Sequence, residues 1–429
     1  MNILMMSNTY TPILGGLERS VQTFTEEYRR RGHRVIIVAP RFENMPSDEK
    51  DVIRVPAVQN FNGTDFSVEL AIPGFLQEAL DDFRPDILHV HHPFLIGDTA
   101  LRTAYQFNAP LVYTYHTLFE YNTHYVPGDS PALKRFVTQL SAGYANLADQ
   151  VFAPSEGIRA MLKRQGVESP IAVVPTGIDL SRFSNVDPGK SHETFGIPKE
   201  TIVVGYVGRL APEKNLDFLS RAVLAFLEQR NNTCFLVVGK GPSEDTIRDI
   251  FQSKKMEHRL FFTGALDGGT LVDAYRAMDA FAFASQSETQ GLSLVEAMAA
   301  GVPVVAVDAI GIHGLIANGV NGFLLEHEDE TEFARALNRL CDLPSDERKK
   351  IKQATRATAE RYSKESCAER ALTLYASLAN SKAGRRDRGS VWGDSLWAQT
   401  LRQLRAEWEL VKNMTKAATV AMKGVPDVP

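Results

Sequence analysis

Short apolar runs alternate with amphipathic stretches of helical length along this chain, and the whole alternation occurs twice. The runs of the first half are Asn2–Met6, Val35–Ala39, Ile87–Val90, Leu111–Tyr115, Val151–Ala153 and Ala172–Val174. Those of the second half are Ile202–Val207, Phe235–Val238, Leu260–Phe262, Ala280–Ala284, Val304–Val307 and Gly322–Leu325. Apolar strands separated by amphipathic helices are typical of parallel sheets with helices on both faces. The sequence therefore predicts an α/β protein with two doubly wound, Rossmann-like domains.

Turn-forming residues separate the two halves. The segment Pro175-Thr176-Gly177-Ile178-Asp179 has the composition of a turn and is interpreted as a hinge. The predicted domains are residues 1–175 and 176–362, followed by a helix over residues 363–380 that closes the second half and a basic amphipathic tail over residues 381–429. Doubly wound sheets bind ligands at the carboxyl ends of their strands, so we expect the site in a cleft between the two domains.

The net charge, the cysteines and the lengths of the apolar runs argue against several classes of protein. A formal net charge of -5 gives no electrostatic footprint for nucleic acid. Three widely spaced cysteines suggest neither a disulfide framework nor a zinc site, so the expected compartment is the reducing cytoplasm. No apolar run reaches the roughly 18 residues of a transmembrane helix, and the N-terminus is interpreted as a buried strand and not as a signal peptide. Any membrane contact is therefore expected to be peripheral.

The densest motif extends from Ser287 to Pro303 and lies between two predicted strands. A loop that leads from a strand into a helix presents free amide groups and the positive end of the helix dipole, which suit a phosphate. Glu288 and Glu296 can both face such a ligand, and carboxylates accept hydrogen bonds from the hydroxyls of a sugar or ribose. However, Ser293-x-x-Glu296 also matches a capping box, and Glu288 alone is typical of a solvated loop. Spacing alone leaves both interpretations open.

The E-x7-E spacing, with Gly-Leu inside it and Glu-Ala-Met-Ala-x-Gly-x-Pro-Val-Val after it, resembles the signature of retaining GT-B glycosyltransferases of family 4. The resemblance covers about residues 1 to 380. It implies that Glu288 holds hydroxyls of a donor sugar and that Glu296 holds the ribose of its nucleotide. The loop amides expected to approach the sugar and the pyrophosphate belong to Thr289, Gln290, Gly291 and Leu292.

Two basic residues after the strand Ile202–Val207 agree with this family. Taken singly, Arg209 and Lys214 are typical surface charges, but they match the family's G-R-x-x-x-x-K pattern, whose cations clamp the pyrophosphate and stabilise the leaving group. The resemblance further implies front-side displacement with retention of configuration, in which the leaving phosphate oxygen takes the acceptor proton. No D-x-D motif occurs, so we expect this clamp, and no metal ion or cofactor, to neutralise the diphosphate.

Glycines and one histidine complete the donor site that the resemblance implies. Gly15 and Gly16 correspond to the family's loop that touches the pyrophosphate from the first domain, and no G-x-G-x-x-G occurs there, which argues against a dehydrogenase. Gly239 and Gly241 resemble its G-x-G-P turn near the nucleoside, although a tight turn alone explains much of this pattern. His116 ends a strand of the first domain. An isolated histidine there is usually structural, but the family places one close to the donor sugar.

The acceptor is suggested by a narrower resemblance. The segments His89–Gly97 and His116–Pro127, together with Glu288–Leu292, are similar to those of bacterial diacylglycerol glucosyltransferases. This resemblance implies UDP-glucose as the donor, diacylglycerol as the acceptor and action at the cytoplasmic face of the membrane. UDP-galactose, UDP-N-acetylglucosamine and GDP-mannose stay open as donors. The acceptor-binding candidates are His116 and the aromatic residues Phe119, Tyr121 and Tyr125, and for each aromatic residue ordinary packing is the alternative. A soluble acceptor, such as a sugar, a sugar phosphate or a hydroxy acid, stays open. So does a binding protein of the same fold without turnover.

Two further features of the sequence have more than one interpretation. Strand alternation places His89 and His91 on one face as two conceivable metal ligands, but no third ligand is evident and no metal site is predicted. The tail has one apolar helical face formed by Trp397, Leu401, Leu404, Trp408 and Val411. With the basic residues around it, this face suits an anionic membrane surface, or else a helix packed on its own protein or on a subunit. The oligomeric state is not predicted.

Overall fold

A computed structural model of the chain describes residues 1–13, 15–58, 68–69, 75–119, 130–183, 191–381 and 396–423. The chain divides into two compact units, each with its own parallel sheet. The first unit takes in Met1–Gly177 together with Lys364–Pro429, and the second unit is Ile178–Ser363.

The first unit is built around one parallel sheet. Its strands are β1 (Asn2–Met6), β2 (Arg34–Pro40), β3 (Val52–Val55), β4 (Ala57–Val58), β5 (Val68–Glu69), β6 (Ile87–Val90), β7 (Leu111–Thr114), β8 (Gln150–Ala153) and β9 (Ile171–Val173). Helices α1 (Gly16–Arg30), α2 (Phe75–Leu80), α3 (Ile96–Gln106), α4 (Pro131–Ala145) and α5 (Glu156–Arg164) connect them. The order is β3-β2-β1-β6-β7-β8-β9, and β4 pairs separately with β5.

The second unit repeats this design with a sheet of six parallel strands. These are β10 (Ile202–Val207), β11 (Thr233–Val238), β12 (Leu260–Gly264), β13 (Ala280–Phe283), β14 (Val304–Val307) and β15 (Gly322–Leu325), in the order β12-β11-β10-β13-β14-β15. Its helices are α6 (Ser191–Thr194), α7 (Leu216–Leu227), α8 (Glu244–Ser253), α9 (Gly268–Arg276), α10 (Leu292–Ala299), α11 (Glu330–Cys341) and α12 (Ser345–Glu360). The prediction of two doubly wound, Rossmann-like domains is confirmed.

Burial on both sheet faces explains why the strands are so apolar. Strands β6, β7, β8 and β11 are buried at every residue, so each of their side chains meets a helix or another strand and not water. The sequence does not predict β3, because Arg54 interrupts its short apolar run at the edge of the first sheet. That arginine is nevertheless held there by an ion pair to Glu49, with 2.6 Å between Nη2 and Oε1.

The helix that follows the second unit corrects one prediction. Residues 363–380 were expected to close the second half, but helix α13 (Lys364–Ser381) packs on the first unit. Its Tyr375 is fully buried there, stacked on Phe152 of β8 with ring centroids 5.8 Å apart, and accepts a hydrogen bond from the Tyr28 hydroxyl at 3.3 Å. An amphipathic stripe shows that a helix must cover apolar surface, but chain order does not show which sheet supplies that surface.

The terminal helix α14 (Leu396–Lys423) also packs on the first unit, against α3 and α4. On its inner face, the Asn413 amide donates a hydrogen bond to the Leu140 carbonyl oxygen at 3.1 Å. Gly143 leaves the room for this contact, since a Cβ atom there would lie 1.7 Å from the Asn413 side-chain oxygen. Arg102 of α3 forms an ion pair with Glu407 at 2.5 Å. The helix therefore packs on its own protein, but not through the apolar face that the sequence indicated, since Leu401, Leu404, Trp408 and Val411 are exposed. Residues 382–395 of the tail lie outside the described residues.

Candidate functional site

Each sheet has a point at which successive connections leave in opposite directions. In the first sheet it lies between β1 and β6, and in the second between β10 and β13. Ligands of doubly wound sheets bind beside such a switch point, beyond the carboxyl ends of the strands. The loops that begin there contain most of the residues that the sequence singles out, so the two switch points are described in turn.

At the second switch point, Lys214 and Glu288 form an ion pair. Lys214 ends a single 3₁₀ turn, Pro212–Lys214, in the loop after β10, and Glu288 lies in the loop after β13. Their Nζ and Oε1 atoms are 2.6 Å apart, with the two side chains 18% and 20% exposed. A cation and a carboxylate are thus held together across the switch point, where a ligand can reach both.

Arg209 lies in the same loop as Lys214 and is held by a different carboxylate. Its Nη2 pairs with Oε1 of Glu213, and the arginine side chain is 59% exposed whereas that of Glu213 is 7% exposed. Glu213 therefore anchors the guanidinium from below and leaves its outer edge accessible. Burial raises the pKa of Tyr206, which lies beneath this loop, and the neighbouring carboxylates of Glu288 and Glu213 raise it further. The sequence gives no signal for Glu213 beyond its position four residues after Arg209.

Glu296 is buried in helix α10 and does not cap it. The helix begins at Leu292, and Gly291 occupies the N-cap position in the left-handed region at φ 72°. Ser293 therefore lies inside the helix, which makes the capping-box interpretation wrong. Instead, the Glu296 carboxylate accepts a hydrogen bond from the Tyr275 hydroxyl at 2.7 Å. Tyr275 was not singled out from the sequence, because a helical tyrosine far along the chain carries no local signal.

Gly239 and Gly241 are required by close backbone packing. Both have φ angles near 150°, and Cβ atoms added there would lie 1.8 Å from the Gly208 carbonyl oxygen and 2.3 Å from that of Leu210. The Leu210 amide also donates a hydrogen bond to the Lys240 carbonyl oxygen at 2.9 Å. The loops after β10 and β11 are therefore locked together, which holds the backbone on either side of Arg209. A nucleoside contact by these glycines stays a prediction.

The loop from Glu288 to Leu292 is supported by a glycine that the sequence prediction missed. Gly311 follows β14, and a Cβ atom on it would lie 2.1 Å from the Glu288 carbonyl oxygen. Gln290 and Gly291 are buried, while Thr289 and Leu292 are half-buried. The signal available was a glycine just after an apolar strand, at the same end of the sheet as the other candidate residues. The contact of this loop with a sugar or pyrophosphate stays a prediction.

At the first switch point, Asn8 connects the loops after β1 and β6. Its backbone amide donates to Nδ1 of His92 at 3.1 Å, and its side-chain amide donates to the Phe94 carbonyl oxygen at 3.0 Å. Its side-chain oxygen accepts from the Ile96 amide at 3.1 Å. Asn8 is therefore a structural centre of this switch point, and it was not singled out from the sequence.

Gly15 and Gly16 lie at the start of helix α1, as predicted for a loop followed by a helix. Gly15 is the N-cap residue, and a Cβ atom on it would lie 2.5 Å from Oε2 of Glu18. Burial raises the pKa of Glu18, and a hydrogen bond with Thr9 acts in the opposite direction. A carboxyl group, which the sequence prediction missed, thus lies beside the glycines that the resemblance assigns to the pyrophosphate.

His116 is held by a second histidine. Nδ1 of His91 lies 2.8 Å from Nε2 of His116, and burial lowers the pKa of both rings well below its usual range, so both are neutral. Within the described residues, Nε2 of His91 has no hydrogen-bond partner. An unpaired buried acceptor is tolerated better than an unpaired donor, so we place the His91 proton on Nδ1, where it donates to His116. His116 then carries its own proton on Nδ1.

His89 serves the core and not a metal ion. Its ring lies on the same strand face as that of His91, with centroids 4.2 Å apart, as strand alternation predicts. However, its Nδ1 accepts from the Tyr375 hydroxyl at 2.5 Å and its Nε2 bonds Thr114 Oγ1 at 2.6 Å. Among the residues with described positions, no three His, Cys, Asp or Glu side chains group as metal ligands. The bond to Tyr375 ties α13 to the sheet.

This buried histidine predicts a pH-dependent stability. Burial lowers the pKa of His89 from 6.5 to about 3, so below pH 6.5 the unfolded chain takes up a proton that the folded state does not. The folded state therefore becomes less stable as the pH is lowered through this window. His89 alone is expected to reduce the free energy of unfolding by about 1.4 kcal/mol between pH 7.5 and 5.5. Urea unfolding at both values should show a smaller difference in His89→Gln than in the wild type. The exposed His258→Gln is the matched control, and an unchanged difference in His89→Gln would contradict the expectation.

The aromatic candidates for the acceptor are only partly described. Phe119 is half-buried and packs edge-on against Phe94, with ring centroids 5.0 Å apart, close to the first switch point. It also approaches Tyr115 at 6.4 Å. Tyr121 and Tyr125 lie outside the described residues. The packing of Phe119 agrees with an ordinary core role and leaves an acceptor role as a prediction.

Models of two families match consecutive parts of the chain. Glycosyltransferase Family 4 matches residues 14–182, and Glycosyl transferases group 1 matches residues 189–358. Alpha-monoglucosyldiacylglycerol synthases are similar in sequence. That of Streptococcus pneumoniae is 28% identical over 80% of this chain and 80% of its own, and that of Acholeplasma laidlawii is 27% identical over 88% and 97%. A GDP-mannose-dependent alpha-mannosyltransferase of Corynebacterium glutamicum is 28% identical over 77% and 78%.

Solved structures with low sequence identity share the fold. Sucrose-phosphate synthase from Thermosynechococcus elongatus superposes with a TM-score of 0.73 at 20% identity, covering 89% of this chain and all of that one. Anabaena HepE in complex with UDP superposes with a TM-score of 0.70 at 21% identity, covering 88% of this chain and 100% of that one. Together with the two family matches, this likeness leads to one conclusion. The chain belongs to the GT-B glycosyltransferases in which a Family 4 domain is followed by a group 1 domain.

Proposed function

We propose that this glycosyltransferase moves glucose from UDP-glucose to diacylglycerol with retention of anomeric configuration. The observation that carries the proposal is the Lys214–Glu288 ion pair at the switch point of the second sheet. It holds a cation suited to a diphosphate next to a carboxylate suited to sugar hydroxyls. A nucleotide-sugar contains both a diphosphate and a sugar, joined by one bond.

The proposed step breaks the bond between the anomeric carbon and the β-phosphate oxygen. A bond from that carbon to the acceptor oxygen forms on the same face of the sugar, and the acceptor proton passes to the departing phosphate oxygen. The products are UDP and a glucoside. Lys214 uses one N–H on Glu288 and keeps the others for the phosphates, while Arg209 adds its exposed guanidinium edge. These charges stabilise the leaving diphosphate, and no side chain acts as a covalent nucleophile.

Two groups are proposed to bind the rest of the donor. Glu296, fixed by Tyr275, takes the ribose hydroxyls. His116 contacts a sugar hydroxyl, and its neutral state, kept by burial beside His91, avoids placing a positive charge against the anomeric carbon. His91 is a positioning residue in this scheme.

The choice of donor and acceptor is supported by relatives. Two of them are alpha-monoglucosyldiacylglycerol synthases and match four fifths or more of this chain. Another depends on GDP-mannose, so this donor belongs in any test. Of the helices with described positions, none is long and apolar enough to cross a membrane. We propose that the protein reaches its lipid acceptor as a peripheral protein at the cytoplasmic face, without metal or cofactor.

A matrix of donors and acceptors tests the proposal. UDP-glucose, UDP-galactose, UDP-N-acetylglucosamine and GDP-mannose are each incubated with the protein and either diacylglycerol in anionic mixed micelles or a set of sugars, sugar phosphates and hydroxy acids. Nucleotide release and glycoside formation are measured in parallel, with and without EDTA. We expect glycolipid from UDP-glucose and diacylglycerol, unaffected by EDTA. A product formed only from a soluble acceptor would overturn the acceptor, and one formed only from another donor would overturn the donor.

The buried contact between Tyr275 and Glu296 predicts an effect on donor binding. Glu296→Gln keeps the shape but loses the charge that strengthens hydrogen bonds to ribose hydroxyls, so we expect KM for UDP-glucose to rise about 10- to 100-fold. Tyr275→Phe should raise KM less, because it only loosens the carboxylate. Initial rates over a range of donor concentrations measure both. Equal KM values in Glu296→Gln and the wild type would contradict the ribose role.

A further inference from the structure

An ordinary surface helix packs its large apolar side chains on the protein and exposes its polar ones, and helix α14 largely reverses this arrangement. The face that packs on the first unit is narrow and includes a polar residue: its buried members are Ala406, Leu410, Asn413 and Ala417. Most of the other large apolar side chains are exposed. Between 54% and 81% of each of these is exposed, and they are Leu401, Leu404, Trp408, Val411, Met414 and Met422.

Helix geometry places Leu401, Leu404, Trp408 and Val411 on one continuous face, with Met422 on the same side further along. At about 100° per residue, these residues lie roughly 165° from the centre of the buried residues, and Met414 lies roughly 70° from it. The outward face is thus almost diametrically opposite the packed face. Single exposed apolar residues are common, but a stripe that extends over about three turns of a helix marks a surface that another apolar phase covers.

Basic residues border this stripe along one edge. Arg405, Lys412 and Lys416 are exposed and lie within roughly 40° of one another on the helix. Two acidic residues lie near this row. Glu407 is engaged by Arg102 at 2.5 Å, and Glu409 is half-buried and lies roughly 40° from the centre of the row, toward the packed face, so basic side chains predominate along this edge. The outward surface therefore combines a tryptophan, aliphatic side chains and a row of positive charges.

We propose that this outward face of α14 binds the surface of an anionic phospholipid bilayer, with the apolar stripe in the acyl–headgroup boundary and the basic edge on lipid phosphates. An apolar face with tryptophan and a cationic border matches the interface of such a bilayer in both polarity and charge. The packed face holds the helix on α3 and α4 through Asn413 and the Arg102–Glu407 pair, so the bilayer is coupled to the first unit. The biological purpose of this surface rests on the proposed function, because a lipid acceptor lies in a membrane. Its binding to vesicles can be measured without turnover.

The test uses the full chain and vesicles of phosphatidylcholine with or without phosphatidylglycerol. Two variants probe the two parts of the surface: L404Q/W408Q/V411Q and R405Q/K412Q/K416Q. A matched control, K254Q/K349Q/K350Q, removes the same charge from exposed positions of the second unit. All altered side chains are exposed, so the melting temperatures should match that of the wild type.

Wild type and control are expected to sediment with anionic vesicles. R405Q/K412Q/K416Q should bind roughly a hundredfold more weakly, since each basic residue near an anionic surface contributes about fivefold. L404Q/W408Q/V411Q should also bind more weakly, because it removes apolar area that the bilayer would bury. Equal binding by L404Q/W408Q/V411Q and the wild type would overturn the proposal. So would a wild-type dimer in sedimentation velocity that this variant abolishes while neither protein binds vesicles, because the face would then join two copies.

Turnover in detergent micelles separates this surface from the proposed function. If the protein forms glycolipid in micelles but its vesicle binding does not depend on α14, the proposed membrane surface is overturned and the proposed function stands. Vesicle binding that depends on α14, without glycolipid from the wild type, would support the surface and overturn the acceptor.

Discussion

Lys214→Met is expected to lower kcat by roughly a thousandfold with a much smaller change in KM. The methionine keeps most of the volume of the side chain but removes the cation that stands beside Glu288 at the switch point of the second sheet. In the proposed step the negative charge on the diphosphate grows as the glycosidic bond breaks, so we expect the ammonium to stabilise the transition state more than the bound donor. Steady-state kinetics with UDP-glucose measure kcat and KM separately.

A second ion pair in the same unit provides a matched control. Lys254 pairs with Glu228 at 3.0 Å, and both side chains are at least two-fifths exposed. Lys254→Met removes the same charge at a solvated position and should leave kcat unchanged. If Lys214→Met and Lys254→Met have equal kcat, Lys214 has no part in stabilising the leaving group.

Glu288→Gln is expected to lower kcat/KM by roughly a hundredfold. The amide keeps the shape of the carboxylate but removes the charge that strengthens the proposed hydrogen bonds to sugar hydroxyls. It also leaves Lys214 without the ion pair that orients it. Because the two side chains are in contact, their effects should not add: Lys214→Met combined with Glu288→Gln should cost less than the product of the two single losses.

Glu228→Gln is the control for this substitution, with the combined Lys254 and Glu228 variant as the control for the cycle. Both should be as active as the wild type. Independent, multiplying effects of Lys214→Met and Glu288→Gln would contradict a functional pair, even if each single variant were impaired.

The sequence predicts the strands well, because strands buried on both faces leave uninterrupted apolar runs. Every strand of the second sheet was predicted, with ends that differ from the structure by two residues at most. Prediction failed where the local apolar pattern was interrupted, or where the sequence does not show which distant part of the protein a helix packs against. β3 was missed because of Arg54, and α13 was assigned to the wrong unit, since its stripe fits an apolar sheet of either one.

In the candidate site, too, local features were predicted and long-range contacts were not. The loops were predicted from motifs, but the partners of their charged groups were not. Glu288 lies 74 residues from Lys214, and Tyr275 lies 21 residues from Glu296, so neither contact has a periodic signal. The Ser293 capping box was a local match that the start of α10 at Leu292 ruled out. Tertiary contacts, not spacing, decide which carboxylates are held in place.

The outward face of α14 illustrates a third limit. The sequence shows its apolar stripe but not the direction in which the stripe points. A helix that packs on its own protein is expected to bury its large apolar residues, and here Ala406 and Asn413 are buried while Trp408 is exposed. Only the packing against α3 and α4 reveals that orientation.

The most direct test of the proposed transfer is the proton NMR spectrum of the first product formed from UDP-glucose and diacylglycerol in anionic mixed micelles. We predict a glucosyl-diacylglycerol whose anomeric proton has the small coupling of an α-glucoside, the configuration of the donor, with UDP released in equal amount. A β-linked product would contradict retention and the front-side step. UDP release with free glucose and no glycolipid would contradict diacylglycerol as the acceptor.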